Sequence, residues 1–172
     1  MTLETQKKKL IFRRLCLALI LVAVSVLQNT ENFFPQVFGI RALLLIPAVV
    51  CIAMYERDKW GMLLGMFAGA LWDVFASGAS YNALFLLATG FLCGTLINTI
   101  MRNNIVTALI LSFIFSVLYH IGYWFFNFIF VSLDSAAFML LRYCLPGIAY
   151  TAVFTPIIFI IIRAVEKKFS EE

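Results

Sequence analysis

Charge is scarce in this sequence. Only 13% of its 172 residues are Asp, Glu, Lys or Arg, against about one quarter in an ordinary soluble domain. So few charges cannot clothe a water-facing surface, which excludes a conventional soluble fold. Histidine is nearly absent: His120 stands alone, too little for a metal site without Cys or carboxylate company. The four cysteines, Cys16, Cys51, Cys93 and Cys144, lie far apart inside apolar runs. They form no CxxC and no zinc spacing, and read as buried thiols. Phosphate loops, dinucleotide fingerprints and zinc-protease motifs are missing too. No Pro/Gly linker or low-complexity tract marks off a soluble domain. No cofactor is expected.

What the sequence has is apolar length. Hydrophobic residues make up 63% of the chain, and six runs can be drawn: Leu10–Leu27, Ile40–Tyr55, Trp60–Ala76, Tyr81–Ile100, Ile105–Val131 and Ala136–Ile162. Crossing a bilayer as a helix takes roughly 20 residues. The expected fold is therefore all-α: one polytopic membrane domain over residues 1–172 with six transmembrane helices. The second and third runs are short for a span and the last two long. Pro47, Pro146 and Pro156 inside runs suggest kinks. The basic start before Leu10 resembles a signal peptide, but no small-x-small cleavage site follows. The first run is read as a retained helix.

The net charge of +4 does not point to nucleic acid, because the basic residues sit at the ends of apolar runs. With the N-terminus inside, the inner face receives Lys7, Lys8, Lys9, Arg13, Arg14, Arg57, Lys59, Arg102, Arg163, Lys167 and Lys168; the outer face receives only Arg41 and Arg142. That bias predicts both termini on the cytoplasmic side of the cell membrane, hence an even number of spans.

Three features stand out against this background. The third run carries Gly61-x-x-x-Gly65-x-x-x-Gly69 and then Trp72-Asp73. Glycines four apart share a helix face and let another backbone approach closely. That face either packs inside the molecule or docks a partner protein, and Gly90-x-x-x-Gly94 offers the same two readings. Asp73 near the outer end is costly in lipid unless it is supported. It is expected to cap the loop or join an ion pair, with Asn82, Arg142 or the Ser77-Gly78 backbone in reach, or else to bind a partner. The fifth run has a polar stripe in Ser112, Ser116 and His120, continued by Tyr123 and Asn127. With Arg142 these form a polar membrane cluster. Hydrogen bonding between helices is the expected use. A Ser–His nucleophile and base is the other reading, but no third group or oxyanion loop accompanies it, and no enzymatic activity is expected.

The stretch Gly65-Met-Phe-Ala-Gly69-Ala-Leu-Trp-Asp73-Val-Phe-Ala-Ser-Gly78, followed by Asn82-Ala83-Leu84, resembles the rod shape-determining protein MreD family. So do the length, the basic N-terminus and the ending Phe154-Thr-Pro156 through Arg163 to Phe169. The match covers Trp60 to about Ile100, with support from Pro146 to Phe169. It departs at Ser80-Tyr81, where the family often has Leu-Gly. The resemblance implies a non-enzymatic scaffold of the bacterial elongasome that supports peptidoglycan synthesis and cell shape. Its implied partners are MreC and, indirectly, MreB filaments, the RodA glycosyltransferase and a class B penicillin-binding protein. It also implies a fold shared with substrate-binding components of energy-coupling-factor transporters. That makes a vitamin-binding transporter subunit the alternative function.

Overall fold

The computed structural model describes residues 3–30, 42–75, 81–128 and 145–170. All secondary structure among them is helical: α1 (Leu3–Asn29), α2 (Leu45–Phe75), α3 (Asn82–Thr99), α4 (Ile105–Phe128) and α5 (Leu145–Ser170). Four stretches are long and apolar enough to cross a membrane: Lys7–Asn29, Asn82–Thr99, Ile105–Phe125 and Leu145–Phe169. The chain is a multi-span α-helical membrane protein.

The second and third apolar runs do not form separate elements. They join in α2, whose helical assignment continues through Glu56-Arg57-Asp58-Lys59. Yet α2 is not straight. A Cβ built on Gly61 would lie 2.9 Å from that of Ala53, and one on Gly65 would lie 3.2 Å from Cγ1 of Val49. In a straight helix those pairs would be about 12 and 24 Å apart at 1.5 Å rise per residue. The element therefore doubles back at its charged centre. Its two arms, Leu45–Glu56 and residues 60–75, pack antiparallel. The described chain thus contains six helical rods in five assigned helices.

The first arm is the centre of the molecule. Every residue from Leu44 to Met54 is buried, the mark of a helix enclosed on all sides. Around it, each other rod buries one stripe at helical spacing. On α1 the stripe is Leu17, Leu21, Ser25 and Gln28; on α5 it is Thr151, Thr155, Phe159, Ile162 and Glu166. The opposite faces stay exposed, with Leu15 and Leu19 on α1 and Ile157, Ile160 and Ile161 on α5. Those are the faces for lipid.

A buried helix end needs partners for its free amides. The central arm receives them from both neighbours in sequence and distant ones. Gln28 Oε1 accepts from the Leu45 amide at 2.9 Å, and Thr151 Oγ1 accepts from the Leu43 amide at 3.1 Å. Pro47, expected to kink a span, lies in the first turn of α2. A missing amide there costs nothing, and the fixed φ suits a helix start. At the other end of the arm, Asn103 Nδ2 donates to the Met54 carbonyl at 3.3 Å. Pro156 does lie within a helix, α5.

The start of α1 and the end of α5 lie at one end of the bundle. Phe12 on α1 and Phe169 on α5 pack edge to face with centroids 5.8 Å apart. The doubling-back of α2 and the α3–α4 loop reach the same end, which is called the Glu56 end below. The ends of α1 and α4, the start of the central arm, the end of α2 and the start of α3 lie at the Asp73 end.

Candidate functional site

Polar side chains that an apolar bundle must justify gather at these two ends. At the Asp73 end, the second arm of α2 runs antiparallel to α3 with almost no gap. A Cβ on Gly61 would meet the carbonyl oxygen of Gly90 at 2.9 Å. One on Gly65 would overlap the Leu86 carbonyl, and one on Gly69 would overlap the Ala83 backbone. Gly90 faces Gly61 with the same intimacy from the other helix. The glycine face is thus used inside the molecule, where backbone-to-backbone contact supplies the packing that lipid cannot drive.

Asp73 closes this pair of rods. Its Oδ2 accepts from the Ala83 amide at 3.0 Å and its Oδ1 from the Asn82 amide at 3.3 Å. A carboxylate on the free amides of a helix start is favoured twice, by hydrogen bonding and by the helix dipole. α3 has no side-chain cap of its own at Tyr81, so Asp73 supplies one from the neighbouring rod. Arg142 and Ser77-Gly78, the other supports considered for Asp73, lie outside the described residues.

Asn82 links this cap to α4. Its Oδ1 accepts from the Tyr119 hydroxyl at 2.8 Å, and both side chains are buried. The Tyr119 ring stacks on Trp72 with centroids 5.1 Å apart and meets Phe85 edge-on at 5.2 Å. Tyr119 therefore joins the second arm of α2, α3 and α4 at one point. Sequence reasoning passed it over, because it lies one residue before the histidine that drew notice.

The α4 stripe is described in part. Ser112 and Ser116 are buried, but neither hydroxyl finds a hydrogen-bond partner. His120 Nδ1 lies 2.8 Å from the Ser116 carbonyl oxygen of its own helix. Tyr119 makes the hydrogen bond from α4 to Asn82 of α3. The Ser–His pair is not a nucleophile and base in contact, since the imidazole reaches backbone and not the hydroxyl. Tyr123 lies on the exposed side of α4. Asn127 is on the last turn of α4 with only its backbone described, and Arg142 lies outside the described residues.

At the Glu56 end, charges alternate across three helices. Arg13 of α1 holds Glu56 of α2 through Nε to Oε1 at 2.8 Å, and its Nη1 reaches Glu166 Oε2 of α5 at 3.3 Å. Arg14 Nε takes the other Glu56 oxygen at 3.1 Å, while its guanidinium lies 3.7 Å over the Trp60 ring. The Glu56 side chain is 1% exposed. Its two oxygens bind two arginines, the arrangement a buried carboxylate needs. Glu166 is buried with Oε1 unpartnered. Neither glutamate was singled out from the sequence. The available signal was position: Glu56 directly follows the apolar run ending at Tyr55, and Glu166 lies one turn past the run ending at Ile162, in register with arginines on another helix.

Among the described residues, Cys16, Cys51 and Cys93 are unbonded, and no group of three metal-ligating side chains converges. Compared with known protein families, curated proteins and solved structures, the chain matches none.

Proposed function

We propose that this protein is a non-enzymatic membrane scaffold of the bacterial elongasome, crossing the cell membrane six times with both termini in the cytoplasm. The observation that carries the reading is the Asp73 clasp. Within the segment that resembles the MreD family, Trp60 to Ile100, the second arm of α2 and α3 pack as one antiparallel pair. Its glycines bring the two backbones together and its aspartate caps the partner helix. The motif thus holds two rods at a fixed angle, which is what a scaffold asks of its most distinctive residues. The six-span topology draws on the six rods, on the meeting of Phe12 with Phe169, and on the basic residues collected at that end.

In this reading the partner is MreC, and MreB filaments, RodA and a class B penicillin-binding protein are reached through it. The test is complementation in a rod-shaped bacterium depleted of its own MreD, with capture of MreC measured in the same cells. Restored rods with MreC capture are expected. Round cells without capture, together with gain of uptake of a specific vitamin, would replace the scaffold by a transporter subunit.

A further inference from the structure

We propose that the Glu56 end of the bundle is a seat for the phosphodiester headgroups of anionic lipids, and that burial of Glu56 and Glu166 is what makes it one. The inference rests on the membrane reading above but not on its MreD-like role.

Exposed basic side chains at this end come from α1, the bend of α2, the α3–α4 loop and α5. Lys7 and Lys8 are exposed on α1, Lys59 at the bend of α2, Arg102 on the α3–α4 loop, and Arg163 and Lys168 on α5. Three contacts bring them to one level. Phe12 against Phe169 joins the α1 and α5 groups, Arg14 over Trp60 brings in the bend, and Asn103 on Met54 brings in the loop.

Surface acids would ordinarily neutralise such a ring. Here Glu56 and Glu166 are turned inward onto Arg13 and Arg14 and are buried. Among the described side chains at this end, the one exposed acid is Glu4. The inner carboxylates are matched by the inner arginines, so among the described side chains the exposed cations outnumber the exposed acid.

The apolar side chains next along each rod fix what this charge faces. Ile11, Phe12, Trp60, Ile160 and Ile161 are all exposed. They set the hydrocarbon boundary directly beside the cations, with a tryptophan at the level where amphipathic rings settle. The cations therefore stand at headgroup depth in the same bilayer that surrounds the helices. An anionic lipid fits both parts of this surface: phosphate oxygens for the ammonium and guanidinium groups, acyl chains for the apolar side chains beneath. A basic residue near an anionic membrane surface strengthens attraction roughly fivefold, and these act together.

The full-length protein is placed in nanodiscs of phosphatidylcholine alone, or of equal parts phosphatidylcholine and phosphatidylglycerol. Two quantities are read: the thermal midpoint, and the lipids kept by the protein on extraction, counted by native mass spectrometry. Wild type should keep phosphatidylglycerol over phosphatidylcholine and melt later in the mixed discs. Moderate salt should weaken that preference. The combined variant Lys7→Gln, Lys8→Gln, Lys59→Gln, Lys168→Gln should lose the preference by at least about tenfold, given the roughly fivefold effect per cation. Its midpoint in phosphatidylcholine should stay that of wild type, which shows it folded. If that variant does not fold, the salt dependence of wild type decides alone. Equal retention of the two lipids by wild type, or a preference indifferent to salt and to the four substitutions, overturns the proposal. So does equal stabilisation by inorganic phosphate or by polyglutamate in detergent, which would assign the seat to a soluble anion or an acidic protein. None of these outcomes bears on MreC capture, so the scaffold reading stands or falls separately.

Discussion

Asp73 Oδ2 and the Ala83 amide are 3.0 Å apart, so the carboxylate at the end of one rod is the N-terminal cap of the next. Asp73 thereby does what a Ser or Asp immediately before a helix ordinarily does, but from across a helix pair. The cap and the close packing of the glycine face enforce each other.

Replacing Asp73 with Asn keeps one acceptor oxygen, and replacing it with Leu removes both. The Asn variant should lose about 1 kcal/mol or less and the Leu variant about 2 kcal/mol, read as thermal midpoints of the detergent-solubilised protein. In the complementation strain, only Leu should weaken MreC capture and round the cells. If Asn proves as damaging as Leu, the charge matters for something other than the α3 cap.

The glycines make a sharper comparison. A methyl on Gly65 or Gly69 would run into α3 backbone, whereas a methyl on Gly122 of α4 would meet nothing within 4 Å. Gly65→Ala and Gly69→Ala should each cost about 1–3 kcal/mol through overpacking. Gly122→Ala should be neutral or slightly stabilising, because alanine is the better helix former. Equal melting of all three variants would falsify the close-contact geometry.

Glu56 and Glu166 should differ in weight. Glu56→Gln leaves Arg13 and Arg14 without their shared carboxylate, and losing one side of a buried pair costs roughly 3 kcal/mol. Glu166 has one contact with Arg13 at 3.3 Å and a second oxygen without a partner. Glu166→Gln should cost about 1 kcal/mol, near the net value of a single hydrogen bond. The order of the two midpoints is the readout, and a reversed order would mean that α5, not α2, anchors α1.

Tyr119→Phe removes the donor to buried Asn82 and keeps the ring stacked on Trp72. Bonds of this kind between membrane helices average about 0.6 kcal/mol, so a small drop in midpoint is expected. Tyr119→Ala, which empties the aromatic contact as well, should lose about 3 kcal/mol or more. If Phe and Ala are equivalent, the ring contributes nothing to holding α4 in place.

Much of this architecture is legible in hydropathy and charge. Each of the six runs overlaps one of the six described rods, because a helix in apolar surroundings is apolar along its length and marks its ends with polar residues. Support for Asp73 was legible as a loop cap, an ion pair or a partner contact, since a carboxylate among apolar residues demands it. Other parts were not. Nothing local distinguishes Leu45–Glu56, the enclosed arm, from a rod at the rim, because burial against lipid and burial against protein select the same side chains. The join within α2 was hidden for a related reason: a charged break reads as a loop whether or not helical hydrogen bonding continues through it. The charge chain at Glu56 and Glu166 depends on which helices are neighbours, and a count of Lys and Arg alone passes over acids. Ser112 and Ser116 drew the eye by type and spacing, yet the bond across helices belongs to Tyr119, whose ring hides its polar end in an aromatic-rich run.

The caps on the central arm have a bearing on how the protein is made. The Leu45 amide finds Gln28, which the ribosome has already delivered, but the Leu43 amide finds Thr151, 108 residues further on. At roughly 5–20 residues per second of synthesis, that amide goes without its native partner for on the order of ten seconds. A twelve-residue arm is also short for a stable span before its neighbours enclose it. The core of this molecule is therefore completed last: a segment translated early is enclosed only when α5 arrives.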